Sequence, residues 1–202
     1  MVEQSIPPIL RPDNPNQVLL SALAEELGVS FSPDTKDVTL TGVSMNTSDI
    51  RSGDIFFAMP GLKTHGAKFA AQAVAGGAVA VATDSAGLEL LGEIGVPVIV
   101  VETPRLRLGE ASRFVYGNGL DEMPLMYGVT GTNGKTSTVH FLSAIFRQIG
   151  AVPGMSSSVE RHIADDIIIS RLTSPEAPES HALIARMREN NVTDVAWEVS
   201  AQ

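Results

Sequence analysis

Short runs of apolar residues and longer segments with apolar residues at helical spacing follow one another along most of this chain. The apolar runs, typical of buried strands, lie at residues 38–43, 55–58, 79–82, 98–101, 125–129, 167–169 and 192–199. The helical patterns lie at residues 18–27, 67–75, 104–116, 135–149 and 175–190. Because strands that alternate with helices favour layered structures, we predict an α/β fold.

The segment Gly117-Asn118-Gly119, followed by residues 120–124, is the best candidate for a linker, because a new strand begins after it. We therefore predict a small N-terminal α/β domain over residues 1–120 and a second α/β domain, with a mostly parallel sheet, over residues 121–202. The sequence ends at Gln202, directly after a predicted strand. We expect the second region to be the truncated first part of a nucleotide-binding domain, since such domains contain further strand–helix units.

Charge and composition exclude several classes of function. The net charge of −9 argues against nonspecific binding to nucleic acid. The chain has no cysteine, which rules out disulfides and thiolate metal sites within it. No apolar run approaches the roughly 18 residues of a membrane span, and the N-terminus does not resemble a secretion signal. We expect a monomeric cytoplasmic protein.

A glycine-containing loop lies between the predicted strand at 125–129 and the helix that ends before Gly150. Its sequence is Gly128-Val129-Thr130-Gly131-Thr132-Asn133-Gly134-Lys135-Thr136-Ser137. A loop of this kind at a helix N-terminus directs main-chain N–H groups at a phosphate. Lys135 would reach the outer phosphates of a nucleotide, and the Thr136 hydroxyl would hold Mg²⁺. The loop departs from the usual P-loop pattern at Val129, where glycine is expected, and an incidental glycine turn is the alternative.

Glu198 follows a predicted buried strand, at the position where P-loop proteins keep an acid that supports Mg²⁺. An ordinary exposed acid at a strand end is the alternative. The four histidines, at 65, 140, 162 and 181, show no metal-binding spacing and no paired acid, so we predict that each is structural or faces solvent.

Four segments together resemble one family. The loop string at residues 131–136 resembles the ATP loop of the Mur ligases and of their relative folylpolyglutamate synthase. Three further segments resemble the Mur ligase branch that adds the third residue of the peptidoglycan stem peptide: Gly53–Gly61 with His65-Gly66, Leu172–Pro178, and Glu198-Val199-Ser200. The resemblance covers residues 38–202. The resemblance to folylpolyglutamate synthase does not account for residues 38–122. Departures from the family pattern occur at residues 46–48, 156–158 and 201–202.

The resemblance implies roles for individual residues. The ATP-binding set is Gly131, Thr132, Asn133, Gly134, Lys135, Thr136 and Ser137, with Lys135 catalytic and with Thr136 and Glu198 as metal ligands. The set that would bind the UDP-linked substrate is Met45, Thr47, Leu62, Lys63, Thr64, Thr173, Ser174 and Ser200. A helix N-terminus before Pro175 explains Thr173 and Ser174 almost as well, and a solvated loop explains Lys63 and Thr64 equally well.

The family reaction implied is ATP-dependent amide formation in peptidoglycan biosynthesis, with Mg²⁺ as cofactor. ATP phosphorylates a carboxylate of UDP-N-acetylmuramoyl-L-alanyl-D-glutamate, and a diamino acid, L-lysine or meso-diaminopimelate, attacks the acyl phosphate. We expect these 202 residues alone to lack ligase activity, since the family's amine-binding third domain is not among them. The alternative is a non-catalytic nucleotide-binding or regulatory module.

Overall fold

The structure is a computed structural model, and it describes residues 9–32, 35–170 and 174–200. It contains two compact units. The first unit comprises residues 15–118, and the second comprises residues 9–14 together with 119–200. Among the described residues, no helix combines the length and the apolar character needed to cross a bilayer.

The first unit is an α/β unit built on a parallel four-stranded sheet. Its elements in chain order are β1 (Val18–Leu19), α1 (Leu20–Glu26), β2 (Thr39–Leu40), β3 (Gly42–Ser44), β4 (Asp54–Ala58), α2 (Ala70–Ala75), β5 (Ala80–Thr83), α3 (Ser85–Leu90), β6 (Val98–Val100) and α4 (Pro104–Val115). The sheet order is β3-β4-β5-β6, and every pairing in it is parallel. All five residues of β4 are buried, as expected for a central strand covered on both faces.

Several sequence predictions for the first unit need correction. Residues 18–19, predicted as the start of a helix, form strand β1, and α1 begins at Leu20. Residues 38–43 form two strands rather than one, because β2 pairs with β1 while β3 pairs with β4. The helix predicted at 67–75 begins as a 3₁₀ turn over Gly66–Phe69 before α2. Helix α3 was not predicted; its N-terminus is capped by Asp84, whose carboxylate accepts a hydrogen bond from the Gly87 N–H at 2.7 Å.

The second unit places helices on both faces of a five-stranded sheet. Its elements are β7 (Leu125–Val129), α5 (Lys135–Gln148), β8 (Pro153–Ser156), β9 (Glu160–Ile163), β10 (Asp166–Ile169), α6 (Ala177–Glu189) and β11 (Asp194–Glu198). The strand order is β10-β9-β8-β11-β7, in which β8, β11 and β7 are parallel and β9 and β10 add antiparallel pairings. The predicted α/β class is confirmed, with a sheet of mixed direction in this unit.

The two faces of this sheet bury different helices. On one face Val139 and Phe146 of α5 pack with Met155 and Ala196. On the other face Leu183 and Met187 of α6 pack in a cluster with Ile163, Val192 and Val195. Strand residues one position apart point to opposite faces, so β11 serves both clusters, with Val195 in one and Ala196 in the other.

Burial of two elements differs from the sequence prediction. Strand β7 was expected to be buried, but it is an edge strand paired only with β11 among the described strands, and Leu125 is 60% exposed. The predicted apolar positions Ile145, on α5, and Ile149, directly after α5, are exposed as well. Strand β9 was not predicted, because three of its four residues are polar and only their side-chain partners make burial tolerable.

Candidate nucleotide and substrate sites

The glycine loop of the second unit leads from β7 into the N-terminus of α5. Gly131 and Gly134 have φ values of +139° and +80°, which favour glycine because a β-carbon disfavours this region. Thr132, Asn133 and Gly134 are exposed, and Lys135 is half-buried. The Lys135 ammonium donates a hydrogen bond to the Gly131 carbonyl at 2.8 Å, so it lies over the loop. The loop is therefore accessible to a ligand. The Lys135 ammonium lies near the N-terminus of α5, where the positive end of the helix dipole also favours an anion.

Thr136 and Glu198 are brought together at the end of this loop. The Thr136 hydroxyl lies 3.0 Å and 3.2 Å from the two carboxylate oxygens of Glu198. The backbone N–H of Ser158 donates to the same carboxylate at 3.0 Å, and the Ser158 hydroxyl lies 3.3 Å from the Thr136 hydroxyl. Glu198 is 3% exposed, so it is a buried acid held by two donors rather than a free surface acid. Ser158 is a contact that the sequence did not predict; its position after β8 was noted only as a departure from the family pattern.

The donor set at this point fits a magnesium ion. Carboxylate and hydroxyl oxygens are hard ligands, and Mg²⁺ is bound in nucleotide sites by few protein oxygens together with phosphate oxygens. Strand pairing explains why Thr136 and Glu198 lie close together. Glu198, at the end of β11, lies directly beside Val129, the last residue of β7. The carboxyl ends of parallel strands meet at one edge, and the loop begins at the same edge.

The first unit contains a cavity of about 830 Å³. Four of the predicted UDP-site residues line it: Met45, Thr47, Leu62 and Thr64. Lys63 lies in the same loop and is exposed, but it is not among the lining residues. Phe56, Phe57 and Phe69 also line the cavity, but of these three rings only that of Phe69 is exposed, and Arg105, at the start of α4, supplies a cation. Arg105 was not predicted as a site residue, although an arginine in the first turn of a helix that follows a parallel strand could have indicated an anion-binding position. A cavity with apolar walls and a few polar groups is typical of a small-molecule site.

One wall of this cavity is a short turn that His65 holds in place. The ring Nδ1 accepts a hydrogen bond from the Ala67 N–H at 3.0 Å, and Nε2 lies 3.1 Å from the Asp84 carboxylate. Because Nδ1 is an acceptor, the proton of the neutral ring is on Nε2 and is donated to Asp84. The turn is closed by the Gly61 N–H, which donates to the Thr64 carbonyl at 3.1 Å. His65 is therefore structural, as predicted, but it has the paired acid that sequence reasoning did not find.

The remaining predicted substrate residues lie in the second unit. The Ser174 and Ser200 hydroxyls are 2.8 Å apart, and the Ser200 N–H donates to the Ser174 hydroxyl at 3.1 Å. Thr173 lies outside the described residues. Roles of individual residues in both units stay predictions.

The prediction that no histidine has a paired acid is also wrong in the second unit. His162 Nε2 lies 2.7 Å and His140 Nδ1 lies 3.7 Å from one carboxylate oxygen of Glu160. Glu160 and His162 are two positions apart on β9, whereas His140 lies on α5, so the sequence did not reveal the group of three.

Comparison with known proteins adds a family assignment to this geometry. A family model described as the Mur ligase middle domain matches residues 129–202, and one described as the Mur ligase family catalytic domain matches residues 39–116. A UDP-N-acetylmuramyl-tripeptide synthetase of Leifsonia xyli is 43% identical over 196 residues, which cover 97% of this chain and 38% of that protein. A UDP-N-acetylmuramoyl-L-alanyl-D-glutamate–2,6-diaminopimelate ligase of Streptomyces avermitilis is 40% identical over 95% of this chain and 37% of its own length.

A solved structure gives the same assignment at the level of fold. It is the structure of a UDP-N-acetylmuramoyl-L-alanyl-D-glutamate–2,6-diaminopimelate ligase, which matches 88% of this chain and 35% of its own chain with a TM-score of 0.66 and 22% identity. The chain thus spans little more than a third of the length of these relatives. Two Mur ligase models that match successive regions, together with relatives at 40% identity or more across nearly the whole chain, lead to one conclusion: the chain belongs to the Mur ligase family.

Proposed function

We propose that this chain forms the UDP-substrate-binding and ATP-binding parts of a ligase that adds a diamino acid to UDP-N-acetylmuramoyl-L-alanyl-D-glutamate. The first unit, residues 15–118, takes the UDP end of the substrate in the cavity beside β4. The second unit takes ATP at the loop of residues 131–137. The names of the relatives in Leifsonia xyli and Streptomyces avermitilis support this substrate class.

The observation that carries the proposal is the contact between Thr136 and Glu198 at the head of α5. The buried Glu198 carboxylate accepts hydrogen bonds from Thr136 and Ser158, and a bound cation would offset the remaining cost of burying its charge. When Mg²⁺ is bound there, it neutralises the phosphate charge that develops during phosphoryl transfer. Thr136 and Glu198 would hold the ion, with Ser158 keeping the carboxylate oriented through its N–H.

The remaining chemistry that this chain would supply is placement and charge. Lys135 would exchange its bond with the Gly131 carbonyl for the outer phosphates, and the main-chain N–H groups at the start of α5 would hold the phosphate oxygens. Electrostatic stabilisation and alignment account for most catalysis of phosphoryl transfer, because the protein makes no covalent bond in that step. A carboxylate activated as an acyl phosphate is then open to attack by an amine.

The cavity in the first unit suits a nucleoside diphosphate. The exposed ring of Phe69 would give a face for a planar base, and Arg105 would offer charge-assisted hydrogen bonds to phosphate. Thr47 and Thr64, which also line the cavity, would add hydroxyl donors. A substrate with one planar end and a charged middle would use all of these features.

Calorimetric titration of the chain with UDP-N-acetylmuramoyl-L-alanyl-D-glutamate tests the substrate assignment. We expect one molecule bound per chain, with heat that disappears when excess UDP is present, since UDP alone would fill the cavity. A chain whose fold is intact by circular dichroism and that gives no saturable heat would overturn the proposal.

A further inference from the structure

We propose that His140, Glu160 and His162 form a binding site for a divalent transition-metal ion of the Zn²⁺ class. This site is distinct from the Thr136–Glu198 pair and would bind metal whether or not a nucleotide is present. The proposal does not rest on the proposed function, because it concerns other residues and another type of ion.

The three side chains offer one ligand atom each, and these atoms lie within 4.8 Å of one another. His162 Nε2 is 2.7 Å and His140 Nδ1 is 3.7 Å from the same Glu160 oxygen. Ligands at about 2.0–2.1 Å from a tetrahedral zinc lie roughly 3.3 Å apart, and the two distances bracket that value. The imidazole rings are nearly perpendicular, at 84°, with centroids 5.8 Å apart, so they converge without stacking.

The fold explains why these three residues converge. Glu160 and His162 are two positions apart on β9, so they share one face of the sheet. His162 is paired across the sheet with Met155, which packs against α5. His140 lies in the second turn of α5, and it approaches the two strand residues from above. The intervening Arg161 points to the opposite face, where it pairs with Glu179 of α6.

Burial supplies an independent observation. His162 is 6% exposed, and its Nδ1 atom has no hydrogen-bond partner among the described residues. Glu160 is the acid for both histidines, so the two imidazoles share one carboxylate oxygen. The atom that would bind the ion is Nε2, which faces Glu160, so coordination leaves Nδ1 to carry the ring proton and does not itself give Nδ1 a partner. Burial of His162 favours the site because it limits competition from water for the ion.

The chemistry of the set selects the class of ion. Two imidazole nitrogens and one carboxylate oxygen suit Zn²⁺ and its neighbours, whereas Mg²⁺ prefers oxygen ligands alone. Three protein ligands leave a fourth position for water. The bound ion would join the helix that begins at Lys135 to the hairpin of β9 and β10, and so would stabilise the folded second unit.

Zinc titration of the tag-free, chelator-treated chain tests this site. We expect one Zn²⁺ per chain by calorimetry, an intense visible absorption band when Co²⁺ replaces it, and no displacement by millimolar Mg²⁺. Loss of one ligand in His140→Gln, Glu160→Gln or His162→Gln should weaken zinc binding at least about tenfold, given that even loss of a group supporting a ligand costs 10- to 100-fold. His181→Gln removes a histidine from α6 of the same unit and should leave the affinity unchanged.

His140 is partly exposed, so His140→Gln keeps the fold even if the change at buried His162 does not, and Trp197 fluorescence checks each variant. Glu198→Gln should retain zinc binding in full. Absence of a stoichiometric zinc site in the parent chain, or equal affinity in His140→Gln and the parent, would overturn the proposal.

Discussion

The hydroxyl of Thr136, in the first turn of α5, donates to the carboxylate of Glu198, at the end of β11, with oxygen–oxygen distances of 3.0 and 3.2 Å. These two residues are 62 positions apart in sequence, and the parallel pairing of β11 with β7 brings them together. The arrangement puts a buried negative charge directly behind the loop that we propose for ATP.

We expect Glu198→Gln to lower the affinity for Mg-ATP at least about tenfold while changing the affinity for metal-free ATP little. The amide keeps the shape of the side chain and can still accept from Thr136, but it removes the charge that favours the cation. Calorimetric titrations with and without Mg²⁺ measure the difference.

Asp166→Asn is the matched control for that experiment, since Asp166 is an exposed acid of the same unit on β10. The Asp166→Asn variant should bind ATP with the same affinity as the parent chain, both with and without Mg²⁺. If Glu198→Gln kept the magnesium dependence of the parent chain, the metal role of Glu198 would be wrong.

Arg105→Gln should weaken binding of the UDP-linked substrate by about 10- to 100-fold, because charge-assisted hydrogen bonds are worth about 1.5–3 kcal/mol. Arg105 lines the cavity of the first unit, where its guanidinium lies 3.8 Å from the Met45 sulfur. Competition against a fluorescent UDP derivative measures the change.

Arg113→Gln provides a control on the same helix. Arg113 pairs with Glu26 of α1 and does not line the cavity. Equal losses of affinity in the two variants would mean that the net charge of α4, and not a contact within the cavity, determines binding.

Arg161→Met should destabilise the second unit by about 3–5 kcal/mol, because it leaves the carboxylate of Glu179 buried without a partner. The side chains of Arg161 and Glu179 are only 2% and 6% exposed and pair between β9 and α6. The double variant Arg161→Met with Glu179→Leu should recover most of this loss, since the buried charge is then absent.

Urea denaturation followed by Trp197 fluorescence gives the free energy of unfolding for this unit. Trp197 is the one tryptophan of the sequence, and it packs against the cluster that contains Leu183 and Met187. A double variant no more stable than Arg161→Met alone would contradict the explanation based on an unpaired charge.

Asp37 should titrate below the usual range for aspartate. Hydrogen bonds from Ser21 lower the pKa of its carboxyl, with the side-chain bond contributing most. The Ser21 hydroxyl donates to the carboxylate at 2.5 Å and the Ser21 N–H donates at 3.1 Å, so Asp37 caps α1 from a distant loop in place of Leu19, which has no capping side chain.

The sign of the pH effect follows from this direction. Because the folded-state pKa is depressed below the unfolded value of about 3.9, the stabilisation is present above that pH and is lost as pH falls through the folded-state pKa. NMR titration of the Asp37 carboxyl measures the shift. Ser21→Ala should move the pKa back towards its usual value, and an unchanged pKa in that variant would show that Ser21 is not the cause.

Sequence reasoning reached the elements that carry strong local signals. The loop with Lys135 between an apolar run and a helical pattern predicted β7 and α5 closely, since glycine, lysine and helix periodicity all agree there. Glu198 was predicted as a metal ligand because the residues before it form an apolar strand. Met45, Thr47, Leu62 and Thr64 were predicted through resemblance, and all four line one cavity, while their roles stay predictions.

Features that depend on contacts between residues distant in sequence could not be predicted from the sequence. Strand β9 has polar residues at three of its four positions, and they are tolerated only because Arg161 meets Glu179 and His162 meets Glu160. The edge position of β7 depends on strand order, which apolar runs do not encode. Asp84 gives a local capping signal for α3, but its pairing with His65 requires the fold to bring the two together.

The central claim is that the loop of residues 131–137 binds a nucleoside triphosphate, and titration of the chain with Mg-ATP tests it most directly. We predict one Mg-ATP bound per chain in the parent, at least about tenfold weaker binding in Lys135→Ala, and parental affinity in Lys68→Ala, a lysine of the first unit. A folded parent chain that does not bind Mg-ATP, or a Lys135→Ala variant that binds it as tightly as the parent, would contradict the claim.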